Sequence, residues 1–135
     1  MSVDLNHTIV HVTDKNAAAE SLAEILGVEP PTSYGPFRVL TLANGVSLDF
    51  ADDHGEPDGQ HYAFMVSDEE FDAIQQRIVD RGWTFWADPA RRRGGEINTN
   101  DGGKGLYWEG PDGHNLEIIT VPYGGADERG AGNEA

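Results

Sequence analysis

The segment that decides the fold is His7–Asp14, which reads HTIVHVTD. His61–Asp68 reads HYAFMVSD and has the same layout, in which a histidine opens an apolar run that closes at a hydroxyl residue and an aspartate. Such runs, rich in β-branched and aromatic residues, are typical of strands. Asp14, and the capping box of Ser67 and Glu70, are typical of helix starts. The repeat predicts two copies of one strand-and-helix unit.

A second pair of similar segments extends each copy. Asn44–Asp49 reads NGVSLD and Asp112–Glu117 reads DGHNLE; in both, a turn leads into a strand that carries a carboxylate. With the remaining apolar runs, the order becomes strand, helix and three strands, twice. The predicted fold is therefore α+β, with two βαβββ modules forming a curled, cup-shaped mixed sheet and helices on its outer face.

A polar stretch containing Gly and Pro separates the two copies and marks the boundary between modules. The first module is predicted to span residues 1–57 and the second residues 58–123, within one domain overall. Residues 124–135 lack an apolar pattern and are predicted to form a disordered tail.

The composition narrows the possible partners. The 135 residues include 24 Asp and Glu against 9 Lys and Arg, a formal net charge of −15. Such a surface repels phosphate backbones, so nucleic acid is not an expected partner. The absence of cysteine excludes disulfides, thiolate metal sites and a cysteine nucleophile. Because the N-terminus does not resemble a signal peptide and no apolar run is long enough to cross a membrane, a cytoplasmic protein without a membrane partner is expected.

Each copy supplies one early histidine and one late carboxylate. Because strand side chains alternate between faces, His61, Asp49 and Glu117 fall opposite bulky apolar residues that can pack on helices, and His7 does so less clearly. If the copies pack with pseudo-two-fold symmetry, His7, His61, Asp49 and Glu117 converge. Imidazole and carboxylate ligands suit a divalent ion such as Zn, Ni, Mn or Fe, and leave positions open for substrate. The sequence does not choose among these metals.

Two further segments resemble a known family. Leu5–His7 near the start and Gly110–Glu117, GPDGHNLE, near the end are similar to the most recognisable segments of the vicinal oxygen chelate superfamily, which includes glyoxalases, extradiol dioxygenases, bleomycin-resistance proteins and fosfomycin-resistance transferases. The resemblance covers residues 4 to 121. It implies paired modules that form a cupped site, often across a homodimer interface. It also implies metal ligands at His7, His61 and Glu117, with Asp49 at a variable fourth position.

The resulting functional prediction is a metal-dependent enzyme of glyoxalase or dioxygenase type. The metal would chelate a small oxygen-bearing substrate and stabilise an anionic intermediate as a Lewis acid, while Asp49 or Glu117 moves the proton. Lyase, isomerase and dioxygenase chemistry all remain open, and the fourth carboxylate slightly favours the glyoxalase-like class. The alternatives are a bleomycin-resistance-like protein that binds an antibiotic or metabolite without chemistry, and a fosfomycin-resistance-like transferase. We expect a homodimer.

Three more residues are candidates for substrate binding. His11 shares the strand face of His7, and the hydroxyl of Tyr107 can donate to a substrate oxygen. Arg93, in the basic run 91–93, can clamp an anionic substrate. Ordinary packing is the alternative for His11 and Tyr107, and pairing with nearby acids is the alternative for the arginines. The Gly-rich stretch 88–105 is predicted to be a lid or a plain surface loop.

Overall fold

The computed structural model describes residues 2–124. The chain divides into two compact units, which meet at the bond between Gly59 and Gln60. Each unit has the element order strand, helix, strand, strand, strand. The predicted α+β class with two βαβββ modules is therefore confirmed. The predicted disordered tail lies outside the described residues, apart from Gly124.

The first unit consists of a four-stranded mixed sheet and one helix. Its strands lie in the order β1-β4-β3-β2, with β1 parallel to β4 and the other neighbours antiparallel. The elements are β1 His7–Val12, α1 Lys15–Leu26, β2 Thr32–Tyr34, β3 Phe37–Thr41 and β4 Ser47–Asp52.

Helix α1 begins and ends where the sequence predicts. The side chain of Asp14 accepts hydrogen bonds from the backbone N–H groups of Asn16 and Ala17, which have no partner within the helix. Gly27 follows the last turn with φ of 71°, a left-handed conformation that a Cβ would disfavour. The predicted apolar stripe, which includes Leu22 and Ile25, is buried. Capping and periodicity therefore agree on this helix.

The second unit repeats the same arrangement. Its sheet has the order β5-β8-β7-β6, with β5 parallel to β8 and the others antiparallel. The elements are β5 His61–Met65, α2 Asp68–Asp80, β6 Phe85–Trp86, β7 Gly105–Glu109 and β8 Asn115–Ile119. The capping box predicted for α2 is present, since Ser67 and Glu70 each accept a hydrogen bond from the other's backbone N–H.

The two parallel strand pairs have the same register. In the first unit His7 lies opposite Ser47 on β4, and the carboxylate Asp49 follows two residues later. In the second unit His61 lies opposite Asn115 on β8, and Glu117 follows two residues later. The sequence repeat is therefore a structural repeat as well, and it places one histidine beside one carboxylate in each unit.

Burial alternates along the first strand of each unit. On β1, Val10 and Val12 are buried, whereas His7, Ile9 and His11 are exposed. On β5, Phe64 is buried while His61 and Met65 are exposed, so each histidine is on the face away from the core. Among the described residues, no helix is both long and apolar enough to span a membrane.

The stretch 88–105 is tied to its own unit at several points. It contains a 3-10 turn at Asn100–Gly102, and isolated β-bridges join Trp86 to Gly94 and Asn98 to Gly105. Asn98 is buried and its amide donates to the carbonyl oxygen of Ala87 at 2.8 Å. Its predicted role as a lid stays a prediction.

Candidate metal centre

His61 and Glu117 form a close pair in the second unit. The Nε2 atom of His61 lies 3.0 Å from Oε1 of Glu117. The other ring nitrogen, Nδ1, lies 2.9 Å from the backbone carbonyl oxygen of Asn115. Since a carbonyl oxygen only accepts, Nδ1 carries a proton and donates it. Nε2 is therefore the nitrogen that faces the carboxylate.

The buried carboxylate of Glu117 is surrounded by hydrogen-bond donors. Its residue is only 1% exposed, and a buried carboxylate is costly unless it is paired. The hydroxyl of Tyr123 donates to it, with distances of 2.9 Å to Oε1 and 3.2 Å to Oε2. Together with His61, this makes Glu117 the most enclosed of the predicted metal ligands.

Tyr107 completes this cluster on β7. It is buried, and its ring stacks on that of His61 with a centroid distance of 6.0 Å and an interplanar angle of 27°. Burial raises the pKa of Tyr107, and the charge of Glu117 and hydrogen bonding to it raise that pKa further. The pKa of Tyr123 is also raised, first by burial and then by its hydrogen bond to Glu117. Both hydroxyls therefore stay protonated and able to donate at neutral pH.

The corresponding pair in the first unit is His7 and Asp49. Nδ1 of His7 lies 2.7 Å from the side-chain oxygen of Asn6, and Oδ1 of Asp49 accepts a hydrogen bond from Ser47 at 2.9 Å. Both residues line an open cavity of about 520 Å³. The rest of the lining is mostly hydroxyl and aromatic groups, with one amide and one aliphatic side chain. These residues are Asn6, Thr32, Ser33, Tyr34, Phe37, Val39 and Ser47.

Each unit thus contains two of the four predicted ligands: His61 contacts Glu117 in the second unit, and His7 and Asp49 line one cavity in the first. Within residues 2–124, no group of three or more His, Asp or Glu side chains is arranged to hold a metal ion. Convergence of His7, Asp49, His61 and Glu117 on one ion stays a prediction. The pairs themselves are what the structure describes.

The donor set of the second pair fits a divalent ion. Either a proton or a cation must lie between Nε2 of His61 and Oε1 of Glu117, because otherwise their lone pairs would face each other. Imidazole and carboxylate are ligand types that divalent first-row metals accept, and the two groups face each other here. A histidine that ligates a metal usually donates its other N–H to a carbonyl or carboxylate, as His61 does here.

His11 and Arg93, the other predicted substrate-binding residues, lie on different elements of the chain from this pair. His11 is exposed on β1, on the same face as His7. Arg93 donates to Glu96 at 3.3 Å, and Arg91 pairs with Glu109, so the expected alternative of pairing with acids describes both arginines. The role of Arg93 in substrate binding stays a prediction.

His114 corrects one expectation, since its place beside a turn predicts exposure to solvent. Instead it is 2% exposed, its Nδ1 accepts from the backbone N–H of Gln60 at 2.9 Å, and its ring meets Tyr62 edge-on. The ring nitrogen thus serves as the acceptor for the backbone N–H of Gln60.

Tyr123 was missed by sequence reasoning. It lies in a Gly-containing segment after the last strand, which predicts no site. Strand alternation gives no signal for it, because strand β8 ends at Ile119 and Tyr123 lies in a turn.

Comparisons with known proteins agree with this architecture. The family model described as Glyoxalase/Bleomycin resistance protein/Dioxygenase superfamily matches residues 4–118. The Glutathione transferase FosA of Serratia marcescens is 30% identical over 124 residues, which cover 87% of this chain and 81% of that protein.

Two solved structures are more similar. Oxidase ChaP-H1 is 60% identical with a TM-score of 0.90, over 92% of this chain and 100% of that chain. Oxidase ChaP-H2 is 58% identical with a TM-score of 0.90, over 93% of this chain and 98% of that chain. The predicted resemblance is confirmed, and the chain belongs to the Glyoxalase/Bleomycin resistance protein/Dioxygenase superfamily.

Proposed function

We propose that this chain is a metal-dependent oxidase that acts on a small oxygen-bearing organic molecule. Members of its superfamily bind small molecules, commonly use divalent metals and often form dimers. The observation that carries the proposal is the His61–Glu117 pair, whose donor types and anchoring suit a divalent ion. The similarity to two oxidases at 58% and 60% identity favours oxidation over lyase or isomerase chemistry.

His7, His61 and Glu117 are the proposed metal ligands, and Asp49 lies at the variable fourth position, where we propose that it acts as a base beside the metal. A bound transition metal would supply Lewis acidity and, if it is redox-active, a route for electrons from the substrate to dioxygen. The pairs belong to different units, so the proposal requires that they meet, either within one chain or between two copies in a homodimer.

Asp49 is the proposed proton acceptor. Its carboxylate is half-buried and lines the cavity, whereas Glu117 is enclosed by donors. Ser47 donates to Oδ1 of Asp49, which leaves Oδ2 available to take a proton from a substrate hydroxyl. Glu117, by contrast, is suited to hold a charge next to a cation. The two carboxylates would thus divide binding and proton transfer between them.

The substrate would be bound by the hydroxyl and aromatic groups around this carboxylate. Tyr34 and Phe37 supply apolar surface in the cavity, while Thr32 and Ser33 supply hydroxyls. In the second unit, the protonated hydroxyl of Tyr107 can donate to a substrate oxygen. Such a mixture suits a molecule that has both a flat apolar part and oxygen atoms.

A fosfomycin-resistance-like transferase is the second candidate. It is favoured by the 30% identity to Glutathione transferase FosA over most of both chains. The two candidates differ in co-substrate, because an oxidase consumes dioxygen and a glutathione transferase consumes a thiol.

The first experiment is elemental analysis of protein purified without added metal, together with oxygen uptake on hydroxylated aromatic and aliphatic test compounds. Near-stoichiometric iron and substrate-dependent oxygen uptake would support the oxidase. Consumption of glutathione with fosfomycin and no oxygen uptake would support the transferase. Protein that binds no divalent metal after incubation with Fe, Mn, Ni and Zn would overturn the metal-dependent proposal and favour a binding protein without chemistry.

Mixing two inactive variants tests where the ligands come from. His7→Ala and Glu117→Ala would each lose activity alone. If a site combines ligands from two copies, mixed dimers regain activity, since one of their two sites is intact. If the ligands come from one chain, mixing restores nothing. His54→Ala, which changes an exposed histidine outside both pairs, is the control expected to keep full activity.

A further inference from the structure

Tyr123 combines an exposed ring with a buried contact. Its residue is 65% exposed, yet its hydroxyl lies 2.9 Å and 3.2 Å from the two oxygens of Glu117, a residue that is 1% exposed. An exposed tyrosine can hydrogen-bond to water at no cost in desolvation. That it is instead directed at a buried carboxylate calls for a reason beyond packing.

The segment that carries Tyr123 is anchored just before it. The backbone N–H of Lys104 donates to the hydroxyl of Thr120 at 2.9 Å, and the backbone N–H of Thr120 donates back to the carbonyl of Lys104 at 3.0 Å. Gly103 allows a close approach, since a Cβ there would lie 2.9 Å from Cβ of Val121. These contacts hold the backbone in place three residues before Tyr123.

The equivalent carboxylate of the first unit has a different donor. Asp49 accepts from Ser47, two residues earlier on the same strand. The second unit has Asn115 at the position equivalent to Ser47, and the backbone carbonyl oxygen of Asn115 accepts a hydrogen bond from His61. Tyr123 thus supplies from outside the strand the hydroxyl that Ser47 supplies from within it.

We propose that Tyr123 is a positioning residue for Glu117 as a metal ligand, an inference that rests on the proposed function. A hydroxyl that contacts both carboxylate oxygens restrains rotation about the last bond of the glutamate side chain. Oε1 is thereby kept facing Nε2 of His61. In this role Tyr123 acts through Glu117.

The expected consequence is a change in metal affinity that does not depend on turnover. Removing a hydrogen-bond partner from a metal ligand typically weakens metal binding roughly 10- to 100-fold. Tyr123→Phe keeps the exposed ring and deletes only the hydroxyl. The matched control is Tyr62→Phe, since Tyr62 is half-buried on the opposite face of β5 and its ring meets His114.

The test uses Co²⁺ as a spectroscopic probe, with its dissociation constant measured by competition with a chelator. Wild type and Tyr62→Phe should bind equally tightly, whereas Tyr123→Phe should bind roughly 10- to 100-fold more weakly and show a shifted Co²⁺ visible absorption band. Metal-free Tyr123→Phe should unfold at a somewhat lower temperature than the wild type, because it removes a donor from a buried carboxylate. The shifted Co²⁺ absorption band is the readout that a merely structural role would not move.

Each result has a distinct meaning. If the wild type binds Co²⁺ and Tyr123→Phe binds it equally well with an unchanged spectrum, the role of Tyr123 is overturned while the proposed function survives. Tighter binding by Tyr123→Phe would also overturn it, because Tyr123 would then compete with the metal. If the wild type binds neither Co²⁺ nor the other ions, the proposed function fails and this inference fails with it.

Discussion

Nδ1 of His61 donates a hydrogen bond to the backbone carbonyl oxygen of Asn115 at 2.9 Å. This single contact fixes both the orientation of the imidazole and the nitrogen that carries the proton. Because Asn115 is also the residue opposite His61 in the parallel register, the strand pairing itself orients the ring. The nitrogen that faces Glu117 is thus set by the backbone and does not depend on a second side chain.

His61→Ala should abolish metal binding without unfolding the protein, because the side chain of His61 is 46% exposed and contributes little to the core. Elemental analysis after dialysis checks the first part and circular dichroism the second. His54→Ala should retain the metal. In the wild type, bound metal should decrease as the pH falls, since protons compete with the cation for Nε2. Metal retained by His61→Ala at wild-type stoichiometry would contradict the ligand assignment.

Asp49→Asn should leave metal content unchanged but lower kcat about 100- to 10,000-fold, the usual contribution of a general base. The amide keeps the shape of the side chain and its ability to accept from Ser47, but it cannot take a proton. Steady-state kinetics, with metal content measured on the same samples, provides the check. Ser47→Ala is the matched control and should have a much smaller effect. Equal rates for Asp49→Asn and wild type would exclude Asp49 as the base.

Tyr107→Phe should make the protein less sensitive to alkaline pH. The pKa of Tyr107 is raised by burial and by the charge of Glu117, so the folded state favours the neutral phenol. Below the ordinary pKa of about 10, this has no effect on stability. As the pH rises from there toward the raised pKa, the unfolded chain loses the proton more readily and the folded state loses relative stability.

The free energy of unfolding of wild type and Tyr107→Phe, measured with urea in buffers of about pH 8 to about pH 12, gives this pH dependence of stability. The loss of stability above about pH 10 should be shallower in the variant. Tyr34→Phe is the control, because Tyr34 is 76% exposed, and its curve should follow the wild type. Parallel curves for all three proteins would mean that Tyr107 titrates normally.

Gly103→Ala should destabilise the second unit by about 1–3 kcal/mol, the usual effect of overpacking. A Cβ at Gly103 would lie 2.7 Å from Oγ1 of Thr120 and 2.9 Å from Cβ of Val121, so the segment that leads to Tyr123 must shift. Gly94→Ala, where the nearest atom is 3.7 Å away on Trp86, should have little effect. Chemical denaturation measures the free energy of unfolding of both variants. Equal values would show that the backbone around Thr120 and Val121 can shift without loss of stability.

The sequence predicted most of the fold because several independent signals agreed. For α1, the Asp14 cap, the apolar spacing and Gly27 all indicate the same helix. Strand β2, Thr32–Tyr34, gives little signal in the sequence, since all three of its residues are exposed and show no burial pattern. Strand β6 is equally hard to find, because it consists of only Phe85 and Trp86, the two residues that pair with β7.

The sequence indicated which residue types belong to the candidate site, but not most of the contacts that they make. Repetition and strand alternation indicated His61 and Glu117, and the structure places them 3.0 Å apart. The hydroxyl of Tyr123 and the carbonyl of Asn115 gave no comparable signal. A backbone carbonyl is the same in every residue, and a tyrosine in an irregular segment can be directed anywhere. Contacts of this kind depend on the path of the chain after the strand ends.

Because the two parallel strand pairs share one register, equivalent positions of the two units can be compared within a single chain. Positions on the histidine strand and the carboxylate strand of one unit have counterparts in the other, such as Ser47 with Asn115 and Asp49 with Glu117. Exchanging residues between counterparts changes the chemistry of a pair while keeping its backbone setting. One histidine–carboxylate pair can therefore change its residues while the other unit keeps an unaltered copy of the same backbone setting.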